Sequence, residues 1–194
     1  METTVSKEEF NREKRRKVAK PLMWLGMISI VMLFAGLTSA VIVRKGDGNW
    51  LHFEMPSMFL FSTLIIVASS LTLFFASKSA SSDRASGTKL GIYATLILGL
   101  LFVFTQFEGY SQLVEMQVYF TGAKAHASGS YLYIISAAHL AHLFGGIIAL
   151  FVVTFNAWKE RYNSKNLLGL QVFSTYWHFL GAMWIYLYIF FRLI

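Results

Sequence analysis

Five long stretches that are almost free of charged side chains constrain the fold of this chain more than any other feature. A transmembrane α-helix needs about 20 apolar residues to cross a hydrocarbon layer of ~30 Å. Each stretch has that length and is apolar on all sides, which suits lipid better than the surface of a water-soluble bundle. The sequence therefore predicts an all-α integral membrane protein with five transmembrane helices, at about residues 21–43, 55–77, 90–113, 131–155 and 172–191.

The composition also indicates a membrane protein. Hydrophobic residues make up 56% of the 194 residues and charged residues only 14%, whereas soluble domains carry roughly 25% charged residues. Cysteine is absent, which excludes disulfides and thiolate metal sites.

We predict a basic cytoplasmic tail over residues 1–20 and a single transmembrane domain over residues 21–194. The first apolar stretch is longer than the core of a signal peptide, so we expect it to remain in the mature protein.

The placement of basic residues predicts the orientation in the membrane. Thirteen Lys and Arg residues lie in the N-terminal tail and in the loops after the second and fourth helices, and only four lie on the other side. By the positive-inside rule, the N-terminus is expected in the cytoplasm and the C-terminus outside. The net charge of +7 therefore reflects topology, and no nucleic-acid partner is expected.

Three histidines fall inside the predicted spans. In "SAAHLAHLFGG", His139 and His142 are three residues apart and share one side of a helix. A stripe of small residues adjoins them, which predicts close approach of another helix and histidines that face protein. His178 lies at a similar predicted depth, so the three rings are expected to form one polar cluster. The small-residue stripe consists of Ala138, Ala141, Gly145 and Ala149.

These histidines have three possible roles on sequence grounds: metal or haem ligands, structural contacts between helices, or contacts to lipid. A copper or iron site needs further converging ligands, and H-x-x-H alone is a weak signal. We therefore favour contact roles over ligation. Trp177 and Trp184, seven residues apart, are interpreted as packing residues.

Gln106 and Glu108 lie near the end of the third predicted helix. Glu108 is either an interfacial carboxylate or a titratable group that reaches into the bundle. Sequence patterns contain no nucleophile with an attendant base and no paired carboxylates, so no catalytic residue is predicted. From the residues alone, we interpret the chain as a membrane protein whose buried polar groups make contacts between helices or with lipid.

Four segments together resemble one family. "YLYIISAAHLAHLFGGIIAL", "STYWHFLGAMWIYLY", "STLIIVASSLTLFFA" and "LGLLFVFTQFEGY" are similar to motifs of subunit III of the haem–copper cytochrome c oxidases, in the same order along the chain. The resemblance covers about residues 22–194, and five spans instead of seven resembles the shorter bacterial members. Two positions depart from the family pattern, since Gly109 stands where the family has glutamate and Gly181 where it has aspartate.

The resemblance implies an accessory, non-catalytic subunit of a respiratory oxidase in a bacterial inner membrane. In such a complex, subunit I holds the haem and copper, and no redox centre or metal ligand is expected on this chain. Subunit III stabilises the subunit I core in aerobic electron transport and proton pumping, and it binds phospholipid. The expected partners are therefore subunit I, other oxidase subunits, membrane phospholipid and a respiratory supercomplex. The contact candidates are His139, His142, His178, Trp177, Gln106 and Glu108.

Two alternatives remain open at this point. Subunit III of a quinol oxidase has the same features, because the electron donor docks on other subunits. From a different class, a self-sufficient membrane cytochrome or transporter would use the three histidines itself.

Overall fold

The structure, a computed structural model, describes residues 7–48, 50–122, 125–164 and 166–194, with side chains from residue 17 onward. Within those ranges it contains five α-helices and no strand, which confirms the all-α prediction. The helices are α1 (Lys7–Gly46), α2 (Ser57–Ser81), α3 (Ala85–Glu115), α4 (Ala127–Trp158) and α5 (Leu168–Leu193).

Four of the five helices are long and apolar enough to cross a membrane: α1 from Lys17 onward, α2, α3 and α4. Large apolar side chains such as Met32, Phe104 and Phe144 are exposed on their outer faces, as expected for surfaces that face lipid. The multi-span prediction is therefore confirmed for four helices. α5 is a helix where the fifth span is expected, and at 26 residues it is ~39 Å long, but its crossing of the membrane stays a prediction.

Except at the start of α2, the helices extend beyond the predicted spans at both ends. The Ser-rich stretch 77–89, which links the second and third predicted spans, is almost entirely helical, since only residues 82–84 separate α2 from α3. Similarly, α3 ends at Glu115 and α4 begins at Ala127, so the connection between them is shorter than the gap between the predicted spans that end at 113 and begin at 131. The predictions were too short because hydropathy marks only the lipid-buried part, whereas the hydrogen-bonded backbone continues into the interface.

Helices α2, α3 and α4 end in the same way. Asp83, Gln117 and Glu160 each adopt a left-handed backbone conformation, with φ of 54°, 59° and 54°. The next residue then donates its N–H to a carbonyl five residues back, as in Val118 to Leu113 at 2.9 Å. This Schellman arrangement satisfies the last carbonyls of each helix and turns the chain sharply.

Helices α2, α3, α4 and α5 form a closed ring, in which each helix contacts the next and α5 returns to α2. Helix α1 packs outside this ring, and among the described residues its helix contacts are with α4 and α5 alone. Its attachment uses Phe34 and Val41, which are buried against Ile135, Met183 and Leu187. The ring therefore encloses the main core, and α1 adds a second, smaller one.

The tightest approach in the ring is between α2 and α3. A Cβ atom at Gly91 would lie 2.7 Å from Cβ of Ala76 and 3.0 Å from the carbonyl oxygen of Thr72. One turn away, the hydroxyls of Thr72 and Thr95 are 2.9 Å apart. Glycine is required at position 91 because the backbones approach this closely, as is common between transmembrane helices.

Candidate functional site: a polar layer inside the ring

A layer of polar side chains lies inside the helical ring at the level of His139. We define this polar layer as Ser62, Gln106, Tyr110, Ser136 and His139. All but Tyr110 are fully buried. Polar groups in this position are costly unless they are hydrogen-bonded, so each one needs a specific explanation.

His139 is enclosed by aromatic rings from three other helices. Its ring centroid lies 6.3 Å from that of Phe34 in α1, 6.4 Å from Phe102 in α3 and 5.4 Å from Trp184 in α5. The side chain is 1% exposed, and its Nδ1 has no hydrogen-bond partner among the described residues. The imidazole therefore acts as a packing element that joins α4 to α1, α3 and α5.

Gln106 joins α3 to α2. Its Nε2 donates to the hydroxyl of Ser62 at 2.8 Å, and that hydroxyl donates to the carbonyl of Phe59 at 2.9 Å. The Gln106 Oε1 atom is buried and has no partner among the described residues. The side-chain N–H of Gln106 thus donates a hydrogen bond to α2, whereas its side-chain oxygen accepts none from the described residues.

Two tyrosines lie at the end of the polar layer that is nearer the α3–α4 connection. Tyr110 of α3 stacks on Tyr133 of α4 with centroids 5.5 Å apart. The hydroxyl of Tyr133 donates to the carbonyl of Val118 at 3.1 Å, whereas the buried hydroxyl of Tyr110 contacts the side chain of Ser136 without full hydrogen-bond geometry. Ser136, one turn before His139, donates to the carbonyl of Leu132 at 2.6 Å.

Two tryptophans tie α5 to α2. Trp177 donates from Nε1 to the hydroxyl of Ser69 at 3.1 Å, and Trp184 donates to the hydroxyl of Thr63 at 3.0 Å. Room for the Trp177 ring comes from two glycines, since a Cβ at Gly99 would lie 3.0 Å from the ring, and one at Gly146 would lie 3.5 Å from it. The pair therefore packs the core and also satisfies its polar N–H groups.

The three intramembrane histidines do not form one cluster. His139 and His142 both contact the ring of Phe34, and His142 Nδ1 lies 2.7 Å from the carbonyl oxygen of Ala138 in its own helix. His178 is half-buried and has no hydrogen bond or ring contact to either among the described residues. The expectation of three rings together was wrong because His178 is rotated ~100° from Trp177, whose side of α5 faces the core.

Only part of the small-residue stripe on α4 lies at a helix contact. Ala138 and Ala149 pack against the buried cores, whereas the other two residues do not. Ala141 and Gly145 are exposed, and a Cβ at Gly145 would meet nothing within 4 Å. The glycine that permits close packing is Gly146, where a Cβ would lie 3.0 Å from Leu180. The prediction was one residue out of phase, which on a helix is ~100°.

Glu108 lies on the outer surface of α3, and Gly109 faces inward. A Cβ at Gly109 would lie 2.6 Å from the ring of Phe59. Of the two interpretations of Glu108, the one in which its carboxylate reaches into the bundle is wrong. Phe59 occupies the space into which a side chain at position 109 would project.

At the opposite end of the bundle, two loops are connected by polar contacts. Lys89 Nζ lies 2.7 Å from Glu160 Oε1, and the backbone N–H of Ser164 donates to Asp83 Oδ1 at 2.7 Å. The hydrogen bond and positive charge of Lys89 lower the pKa of the Glu160 carboxyl from its ordinary value. These contacts join the α2–α3 connection to the α4–α5 connection.

Several contacts gave no sequence signal that identified them. The hydroxyls of Thr38 in α1 and Tyr186 in α5 are 3.0 Å apart, and Lys45 donates to the carbonyl of Ile194 at 2.9 Å. Both tie α1 to α5. For Thr38 and Tyr186 the sequence shows only one polar residue in each of two apolar spans, which cannot specify the partner, and the carbonyl that Lys45 contacts is backbone and has no sequence signal.

These features define a multi-span helical membrane protein whose buried polar side chains hold its helices together. Within the described ranges, no group of three His, Asp or Glu residues is placed to hold a metal ion. The profile of the family described as "Cytochrome c oxidase subunit III" matches residues 50–193, which span α2 to α5. The chain belongs to the cytochrome c oxidase subunit III family.

Individual relatives agree with this family. The chain is 29% identical over 167 residues to "Cytochrome c oxidase subunit 3" of Corynebacterium diphtheriae, covering 82% of this chain and 80% of that protein. It is 29% identical over 177 residues to "Probable cytochrome c oxidase subunit 3" of Nocardia farcinica, covering 86% and 82%. Against "Cytochrome c oxidase subunit 3" of Pyricularia grisea the identity is 31% over 137 residues, covering 71% and 48%.

Proposed function

We propose that this chain is the accessory, non-catalytic subunit III of a respiratory cytochrome c oxidase, which stabilises a haem–copper subunit I. The observation that carries the proposal is the family match over α2 to α5, the ring that contains the polar layer. In this role the chain takes part in aerobic electron transport and proton pumping through its complex, with haem and copper on partner subunits and phospholipid bound at its surface. Relatives named as cytochrome c oxidase subunits favour cytochrome c over quinol as the electron donor.

The interhelical contacts support a structural role for the candidate residues. His139, Gln106 and Trp177 are fully buried and join neighbouring helices. We assign them, with His142, to packing within this chain. His178, which is half-buried, and Glu108, which is exposed, are assigned to contacts with lipid or a partner subunit.

The proposed topology has five spans, with the N-terminus in the cytoplasm and the C-terminus outside a bacterial inner membrane. The distribution of basic residues supports this orientation. α5 supports a fifth span because it closes the ring between α2 and α4 and has a length of ~39 Å. Residues 21–194 would then form one transmembrane domain.

Purification in mild detergent through a tag on this chain tests the assignment. We expect a haem–copper subunit to be recovered with it, and we expect the purified complex to oxidise reduced cytochrome c. Recovery of the chain without any haem–copper subunit would contradict the proposal. Oxidation of quinol but not of cytochrome c would replace the proposed donor and keep the subunit assignment.

A further inference from the structure

In the polar layer, Gln106 Oε1 and His139 Nδ1 have no hydrogen-bond partner among the described residues, and Tyr110 Oη has only a side-chain contact with Ser136 that falls short of hydrogen-bond geometry. A buried polar atom without a hydrogen-bond partner is energetically costly. More than nine in ten buried polar groups in proteins are paired with protein or ordered water. Three atoms without a full hydrogen bond in one layer therefore require a common explanation.

The helical register places the three residues within about 9 Å of one another in depth. Tyr110 stacks on Tyr133, which fixes the level at which α3 and α4 face each other. From that level, Gln106 is four residues back along α3 (about 6 Å), and His139 is six residues forward along the antiparallel α4 (about 9 Å). Gln106 and His139 thus differ in depth by only ~3 Å.

Aromatic side chains close the surroundings of these atoms. Phe102, one turn before Gln106, has its ring 6.4 Å from His139, and Trp184 contacts both Phe102 and His139. Phe59 lies 6.1 Å from Tyr110 and 5.8 Å from Trp184. The space between α3 and α4 is therefore walled by aromatic rings.

The nearby hydroxyls are already engaged as donors. Ser62 donates to the carbonyl of Phe59, and Ser136 donates to the carbonyl of Leu132. Gln106 Oε1 accepts only, whereas a tyrosine hydroxyl and a neutral imidazole can both donate and accept. Water combines donor and acceptor in a single small molecule, and a buried water typically needs two to four polar partners.

We propose that a water molecule is bound between Gln106 Oε1, Tyr110 Oη and His139 Nδ1. It donates to the amide oxygen of Gln106 and exchanges hydrogen bonds with the tyrosine hydroxyl and the imidazole. His139 is neutral in this arrangement, so no buried charge is needed. The site does not depend on the assignment to an oxidase.

X-ray radiolytic labelling of the full-length chain in ¹⁸O water tests this site. Radiolysis generates hydroxyl radicals from bound water, so buried side chains next to that water are oxidised and carry ¹⁸O. Trp177 is the internal control, because it is equally buried and its Nε1 is satisfied by Ser69. We expect His139 and Tyr110 to be labelled more than Trp177, as measured by peptide mass spectrometry.

Two variants remove partners of the water by different means. Tyr110→Phe removes only the hydroxyl, and Gln106→Leu removes the amide oxygen. We expect either change to reduce the labelling of His139 to the level of Trp177. Thr154→Val, the control, removes a hydroxyl that bonds only within α4 and lies outside the layer, and it is expected to leave His139 labelled. The site is refuted if His139 is labelled no more than Trp177, or if its labelling survives both Tyr110→Phe and Gln106→Leu.

Discussion

Gly109 and Glu108 are adjacent in the sequence but have different surroundings, because one residue rotates a helical side chain by ~100°. Gly109 faces Phe59 inside the ring, and Glu108 lies on the outer surface of α3. A carboxylate one position later would have to enter the space of an aromatic ring and lose its hydration. The chain therefore differs from the family pattern at position 109 in a way that its own packing enforces.

Gly109→Glu is expected to destabilise the protein by roughly 2–4 kcal/mol, because it overpacks the core and buries a charge. Phe59→Ala opens space at the same point, so the double variant is expected to cost at least about 1 kcal/mol less than the sum of the two single changes. Unfolding in detergent measures these values. Glu108→Gln serves as the control and is expected to stay within about 0.5 kcal/mol of the parent. Strict additivity of Gly109→Glu and Phe59→Ala would contradict the contact.

The Lys89–Glu160 pair makes a prediction about pH. Because Lys89 lowers the pKa of Glu160, the pair contributes to stability above the ordinary carboxyl value of 4.5, and the contribution is lost as pH falls through the lowered pKa. Lys89→Gln is expected to raise the pKa of Glu160 towards its ordinary value, as followed by carbon NMR of the labelled carboxyl. Since Glu160 is fully exposed, the effect should shrink as salt is added. An unchanged pKa in Lys89→Gln would show that the pair does not persist in solution.

At the scale of the helices, contacts are set by which side of each helix carries small and polar residues. Trp177 fits between Gly99 and Gly146, and His139 fits among three aromatic rings. Membranes provide little hydrophobic drive between helices, so close packing and hydrogen bonds carry the association. Replacing the contact glycine should therefore matter far more than replacing a neighbouring one.

Gly146→Leu is expected to destabilise the bundle by about 1–3 kcal/mol, because its side chain would enter the space of Leu180 and Trp177. Gly145→Leu is the matched control, with the same change one residue earlier on the open face of α4. It is expected to be neutral or slightly stabilising, since leucine favours the helix over glycine. Thermal unfolding in detergent compares the two variants, and equal effects would contradict the assigned face of α4.

The positions of the helices along the chain could be predicted from the sequence better than the side of each helix that contacts its neighbours. Long apolar stretches identify spans, because the hydrocarbon layer imposes a length that hydropathy reads directly. The buried state of His139 could be inferred from its neighbours, but the separation of His178 from it could not, because it depends on helix rotation. The phase error between Gly145 and Gly146 has the same origin. Long-range partners such as Thr38 and Tyr186 depend on how the helices assemble, which no local pattern encodes.

At the scale of the whole molecule, the proposed topology predicts which connections between the helices lie on each side of the membrane. The absence of cysteine makes the chain suited to single-cysteine labelling. Ser82→Cys lies in the connection predicted to be inside, and Met116→Cys lies in the connection predicted to be outside; both positions are exposed. Leu193→Cys, at the end of α5, reports whether the fifth helix crosses.

With an impermeant maleimide, we expect Met116→Cys and Leu193→Cys to be labelled in intact cells and Ser82→Cys only after permeabilisation. The cysteine-free parent controls for background. Labelling of Leu193→Cys only after permeabilisation would show that α5 does not cross the membrane. The reverse pattern at Ser82→Cys and Met116→Cys would invert the orientation derived from the positive-inside rule.

We propose that this chain is a structural subunit without a redox centre of its own. The visible spectrum, with metal analysis, of the tagged complex and of this chain after its dissociation from its partners tests this directly. We expect haem and copper in the complex and neither in the isolated chain. Stoichiometric haem or copper that stays with the isolated polypeptide would contradict it.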